Sequence, residues 1–231
     1  MDPPAELSCY QTTVMTFRII DLSHTLKTTG MSIWPGHPIF TAYKVQDKRN
    51  VTALSFGSHT GTHIDAPSHF IADGLAIDEL DLQRLLGRAV VVDVRDKGAR
   101  ERITWDDVKV HEEKLGEGVI VLFCTGWSRH WGTDKYGDHP FLDPDAARKL
   151  VERGVKVIGM DTLGPDEMKL GGEETEGVSA HEVILGTGGV IAENLRGLEE
   201  VIEMERPIVS LLPIKIGGCD GAPIRAIAFE A

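Results

Sequence analysis

The chain has 231 residues, 42% of them hydrophobic, and a formal net charge of −12, which supplies one sizeable core and too little apolar material for two comfortable domains. The acidic balance and the lack of any Lys/Arg cluster exclude nucleic acid and anionic membrane as partners, since both require basic patches. No stretch approaches the ~18 consecutive apolar residues of a membrane span, no charged segment with an apolar core opens the chain, and Cys9, Cys124 and Cys219 are widely spaced, so the expectation is a cytoplasmic protein.

In chain order, Met1–Thr16 reads as a loose tail with Met15 as a candidate start, ahead of a single domain over residues 17–231. Strands are expected at Phe17–Leu22, Ile39–Val45 and Val51–Phe56, each rich in β-branched or aromatic residues. A one- or two-turn helix follows at Asp81–Leu86, then a strand at Ala89–Val94. Thr104, with Asp107 three residues on, suggests a capped helix running to about Leu115. The apolar run Val119–Phe123 is a strand, and Cys124 behind it reads as a small buried hydrophobe without a local partner for nucleophilic chemistry. Asp143-Pro144 starts a helix with an N-cap and a first-position proline, and Gly154 ends it after Lys149 and Arg153. Strands at Val155–Met160 and Gly189–Ala192 flank a short helix at Ala180–Leu185, and strands at Pro207–Leu212 and Ile224–Phe229 close the chain. More strands than helices, some consecutive and some separated by helices, give an α/β class with a mixed sheet.

Between these elements, His59-Thr60-Gly61-Thr62-His63-Ile64-Asp65-Ala66-Pro67-Ser68-His69 gathers three imidazoles and a carboxylate with no Lys or Arg to neutralise the acid. Gly61 and Pro67 argue against a helix here, and Thr60 stands where the helical zincin motif needs a Glu. As extended backbone, alternation would turn His59, His63, Asp65 and His69 to one side. Imidazole nitrogen with carboxylate oxygen suits zinc, and also manganese or iron. The bland alternative is a polar loop whose histidines bond only to backbone.

The same segment resembles the HxGTHxDAPxH signature of the cyclase family of metal-dependent hydrolases, which includes bacterial kynurenine formamidase and isatin hydrolase. The likeness extends from about Phe17 to Phe229. It takes in Ile20-Asp21-Leu22-Ser23-His24-Thr25-Leu26, Trp34-Pro35-Gly36, Gly159-Met160-Asp161-Thr162, Ala180 to Gly186, Ile191 to Leu195, and Gly221 to Ile227. The resemblance implies a swivelling β/β/α fold, a tightly packed homodimer or higher homo-oligomer, and two divalent metal ions, zinc first and manganese as the alternative. On that resemblance His59, His63 and Asp65 bind one ion, His181 helps bind a second, and Asp65 and Glu193 bridge the pair. His69 is implied as the general acid/base and Trp34 as a wall of the substrate pocket.

Those residue types suit the roles. An imidazole exchanges protons near neutral pH, and an indole on a turn can stack on an aryl ring. His69 could instead orient a ligand, and Trp34 could be core packing. Asp73, in Ala72-Asp73-Gly74, is a possible orienter of His69 that more simply makes a turn. His24, His130 and His139 are read as structural, His37 and His111 as surface residues, and the long aromatic loop Trp127–Asp143 as a cover for the pocket. The function implied is hydrolysis of an amide of aryl formamide type, a lactam or an ester by metal-activated hydroxide, on a small and aromatic substrate. A metal-dependent cyclase or dehydratase, and a non-catalytic metal-binding protein, remain as other readings of the same residues.

Overall fold

The computed structural model describes residues 18–46, 48–169 and 177–230, so the expected tail over 1–16 lies outside the described residues. Among the described residues, thirteen strands and four α-helices follow in chain order: β1 (Ile19–Asp21), β2 (Thr41–Val45), β3 (Val51–Ser55), β4 (His63–Asp65), β5 (Leu86–Asp93), β6 (Arg102–Ile103), α1 (Trp105–Val108), β7 (Ile120–Cys124), β8 (Phe141–Leu142), α2 (Pro144–Glu152), β9 (Val157–Met160), α3 (Ala180–Gly186), β10 (Val190–Glu193), α4 (Leu198–Ile202), β11 (Pro207–Ser210), β12 (Gly221–Pro223) and β13 (Ile227–Glu230). Nine strands form one mixed sheet in the order β1-β13-β11-β5-β7-β9-β10-β4-β12. Its centre, β5-β7-β9-β10, is parallel, and the outer pairings are antiparallel.

The parallel centre explains why its strands read as unbroken apolar runs. Every residue of β7 is buried, with Ile120, Leu122 and Cys124 in one apolar cluster and Val121 and Phe123 in another on the opposite face. On the first face α4 packs Leu198 and Val201; on the second, α2 and α3 pack Ala146, Leu150, Ile184 and Leu185. Asp143 caps α2 by accepting from the Asp145 N–H at 2.8 Å, and Ser179 and Glu182 close a capping box on α3 at 3.1 and 2.8 Å.

Local chemistry accounts for the differences from expectation. The helix expected from Thr104 to Leu115 tightens after Val108 into a 3-10 helix, Lys109–Lys114, because Val110 is exposed and no buried side chain anchors further α-turns. Asp81–Leu86 is also a 3-10 turn, Leu82–Leu85, capped by Asp81. The last expected strand, Ile224–Phe229, starts only at Ile227, beside β1 and β11, and a separate strand that was not expected, Gly221–Pro223, precedes it and pairs with β4. Pro223 is tolerated because β12 is an edge strand. The hairpin β2–β3 stands apart as its own two-stranded sheet and exposes Tyr43 (64%) and Leu54 (57%), with Ile39 (64%) just before it.

Candidate active site

Alternation across β10 and β4 creates the centre of the site. Ile191 packs into the second-face cluster and Ile64 into the first, so Glu193, two residues after Ile191, and His63 and Asp65, on either side of Ile64, all project onto the second face. Register places Glu193 opposite His63 and Ile191 opposite Asp65. Helix α3 covers that face and contributes His181 from its first turn.

His63 Nε2 lies 3.2 Å from Asp65 Oδ1 and 3.3 Å from Glu193 Oε2. His181 Nε2 lies 3.1 Å from Glu193 Oε1 and 3.4 Å from Asp65 Oδ2, and His59 Nδ1 is 2.7 Å from Asp65 Oδ1. The structure thus brings together all five residues expected as ligands. It does so by a different route from the extended backbone expected over the motif: only His63–Asp65 is strand. Gly61 turns the chain at φ 66°, where a Cβ would come within 2.3 Å of Leu26 Cδ2, and His69 sits on a 3-10 turn, Pro67–His69. The convergence follows from a turn on each side of a three-residue strand.

A cation suits this donor set on two observations. Although His63 Nε2 and Asp65 Oδ2 are buried and close to partners, neither makes a hydrogen bond, which is costly for atoms of that kind unless something else engages them. The cluster also competes for positive charge. Burial opposes protonation of His63, yet the Asp65 and Glu193 carboxylates outweigh it and lift the imidazole to about 10. Burial likewise opposes protonation of His181, which Asp166, Asp65 and Glu193 hold well above the usual histidine range. Ligand atoms of His59, His63 and Asp65 lie within 4.8 Å of one another, as do those of Asp65, His69 and His181.

Two carboxylates that carried no signal in the sequence complete the arrangement. Asp220, just before β12, places Oδ2 3.0 Å from His59 Nε2 and 3.2 Å from His69 Nδ1. Asp166 places Oδ2 2.6 Å from His181 Nδ1 and accepts from the Ala180 N–H at 2.7 Å. Asp73 makes a turn, so the orienter beside His69 is Asp220. Burial keeps His69 below the ordinary histidine value, whereas the Asp220 carboxyl, despite partial burial, is brought down to about 2 by His59 and Ser58. Asp220 is therefore ionised and can only accept, so its approach puts the His69 proton on Nδ1 and leaves the lone pair on Nε2. Asn194, after Glu193, holds the left-handed region at φ 55°, a conformation asparagine tolerates. It is fixed there by donating to Gly61 O at 3.0 Å and accepting from Tyr136 Oη at 3.0 Å.

A cavity of about 710 Å³ opens over the cluster, walled by Trp34, Pro35, Phe70, Leu163 and Met168, with His59, His63, His69, His181 and Glu193 at its base. Trp34 lines it and is 41% exposed. Phe70 was not foreseen; its ring stacks on His181 with centroids 4.6 Å apart. Two expectations are corrected. His37 is half-buried in the cavity wall and not a surface residue. The loop Trp127–Asp143 contributes no residue to the cavity; it buttresses the cavity rim from behind, where Gly132 N–H donates to Ser32 Oγ at 2.9 Å and Trp131 stacks on His24 at 4.2 Å. His24, His130 and His139 stay outside the cavity.

Comparison with known proteins agrees with this geometry. Two curated kynurenine formamidases, from Bacillus mycoides (strain KBAB4) and Salinibacter ruber (strain DSM 13855 / M31), are each 31% identical to this chain, covering 92% of it and 97% and 98% of their own lengths. Isatin hydrolase A from Labrenzia aggregata bound to benzyl benzoate superposes with a TM-score of 0.82 at 26% identity, covering 93% of this chain and 94% of the other. A structure described as a potential metal-dependent hydrolase with cyclase activity has a TM-score of 0.77 at 27% identity, covering 94% and 99%. The family model described as Putative cyclase matches residues 20–167, and with these relatives it shows that the chain belongs to the Putative cyclase family.

Proposed function

We propose that this metal-dependent hydrolase cleaves the carbonyl–nitrogen bond of a small aryl amide of formamide type or of a lactam, with aryl esters as further substrates. The observation that carries the reading is the convergence of His59, His63, Asp65, His181 and Glu193 around a buried nitrogen and a buried oxygen that have no hydrogen bond, at the base of an aromatic-walled cavity. In this reading those five residues hold two divalent cations, zinc before manganese. Bound there, such cations polarise a carbonyl and make water acidic enough to attack at neutral pH.

The remaining roles belong to the chain. His69, uncharged at neutral pH, accepts a proton at Nε2 from the attacking water and returns it to the leaving nitrogen. Asp220 holds the opposite edge of the ring, so the transfer uses one tautomer throughout. Asp166 orients His181 from behind. His59 has a carboxylate at each ring nitrogen, so it becomes a lone-pair donor only on losing a proton. Trp34 and Phe70 present faces and edges to an aryl ring, and about 710 Å³ accommodates one such molecule.

The protein is read as a cytoplasmic homodimer. The apolar β2–β3 hairpin, paired with no other strand among the described residues, supports a second copy as its cover. No helix among the described residues is long and apolar enough to cross a membrane.

A screen of N-formylkynurenine, isatin and simple aryl esters on zinc- and manganese-loaded protein tests the function. Turnover of at least one aryl amide or lactam that disappears in His69→Ala is expected. Metal-loaded protein inert to all three classes would overturn the reading.

A further inference from the structure

Cys124 and Asp161 leave the sheet side by side, on the face opposite the histidine cluster. In β7, Ile120, Leu122 and Cys124 pack into the first-face cluster, and the alternation of β9, with Val157 in that cluster and Ile158 and Met160 in the other, brings Asp161 to the same side. Thr125 fixes the carboxylate by donating its N–H and hydroxyl to Asp161 Oδ1 at 2.9 and 2.6 Å. Asp161 is fully buried, and its Oδ2 has no hydrogen-bond partner. Glu199 reaches the same place from the first turn of α4, the helix packed against β5 and β7. One oxygen of each carboxylate and Cys124 Sγ lie within 4.8 Å of one another.

We infer that Cys124, Asp161 and Glu199 form a separate divalent-cation site that prefers a thiophilic ion such as Zn2+ or Cd2+. A thiol beside two carboxylates, one of them with a buried oxygen lacking a partner, is a poor apolar core and a coherent donor set: the sulfur selects zinc or cadmium over magnesium or calcium, and the oxygens complete the charge. The nearby Arg95 does not fill this role, because Asp93 engages its guanidinium at 2.7 and 2.6 Å. Burial and the surrounding carboxylates push the Cys124 thiol up, and burial, with repulsion from Glu199, raises Asp161 to about 6. On binding, the thiol S–H breaks, its proton leaves to solvent, and the sulfur electron pair is donated to the ion.

Sulfur ligation has an optical signature the histidine cluster cannot give. Titrating Co2+ into Cys9→Ser/Cys219→Ser protein should produce a near-ultraviolet thiolate-to-cobalt charge-transfer band, and a matching thiolate band should appear with Cd2+. The band should be absent in the same protein carrying Cys124→Ser, should require at least about tenfold more cobalt with Glu199→Gln, a change at a half-exposed position, and should persist with Asp65→Asn. Absence of the band from the parent protein, its survival of Cys124→Ser, or its loss with Asp65→Asn while Cys124 is intact would each overturn the inference.

Discussion

His63 and Glu193 are register partners across β4 and β10, and their side chains meet at 3.3 Å. Two donors from strands far apart in sequence are thus held at a fixed separation by backbone hydrogen bonds, with β4 gripped on its other side by β12. Only side-chain torsions remain to be set, which is the preorganisation a metal centre requires.

If Asp65 touches both ions, its loss should empty the cluster. In Cys124→Ser protein purified without chelators, where the histidine cluster alone is read, about two divalent ions per chain are expected, and the same protein carrying Asp65→Ala should hold less than one. Elemental analysis of the two proteins decides it, and an equal, low metal content in both would refute the assignment.

His69 lies as near Asp65 and His181 as a ligand would, so function must separate base from ligand. His69→Ala should lower kcat by about 10²–10⁴-fold while retaining metal. Loss of metal with undiminished activity per bound ion would make His69 a ligand.

Asp166 would act on an ion in the proposed centre only through His181, whose Nδ1 it meets at 2.6 Å. Asp166→Asn keeps the shape but removes the charge beside Nδ1, and metal affinity at the histidine cluster should weaken by about 10–100-fold. A chelator-competition titration reads this directly; unchanged affinity would leave Asp166 as no more than a helix cap.

Trp34 separates pocket from core. Trp34→Ala should raise KM for aryl substrates much more than for small aliphatic amides, and because the side chain is 41% exposed it should cost about 0.5–1 kcal/mol in stability, not the ~3–5 kcal/mol of an aromatic removed from a core. A large fall in Tm with unchanged substrate preference would return Trp34 to packing.

Acid should weaken the fold through His24. Burial, with Arg196 nearby, lowers this imidazole from 6.5 to about 4, so between those values the unfolded chain binds the proton and the native state does not. Stability is therefore lost as pH falls from about 6.5 towards 4 and restored as it rises again. Urea denaturation of wild type and His24→Gln across that range should give a flatter acid limb for the variant; parallel limbs would exclude His24 as a source.

What the sequence made legible was set by the range of its cues. The strand β7 was readable because both its faces are apolar, and α2 because Asp143-Pro144 writes its start locally. The histidine motif declared its chemistry by composition, and the family resemblance supplied His181 and Glu193. Asp220 and Asp166 stayed hidden because a carboxylate in Cys219-Asp220-Gly221 or Pro165-Asp166-Glu167 looks like any turn residue until pairing of β12 with β4, and capping of α3, brings it to a histidine. The short strand β12 and the helix α4, entered through Gly197 at φ 69° with no side-chain cap, lacked a periodic signal of their own. His37 was misplaced for the same reason: a turn, closed by its N–H donating to Trp34 O at 3.0 Å, sets it in the cavity wall with its ring 5.7 Å from that of His59.

The division between sheet-borne donors and loop-borne walls has a consequence for how such a protein can diverge. Moving His63 or Glu193 means breaking ladders on both sides of β4 or β10, whereas Trp34, Phe70 and Met168 lie on segments outside the strands and can be exchanged without touching a single sheet hydrogen bond. Selection can therefore retune what enters the cavity one rim residue at a time while the reactive centre stays constant, so a new specificity need not pass through an inactive intermediate.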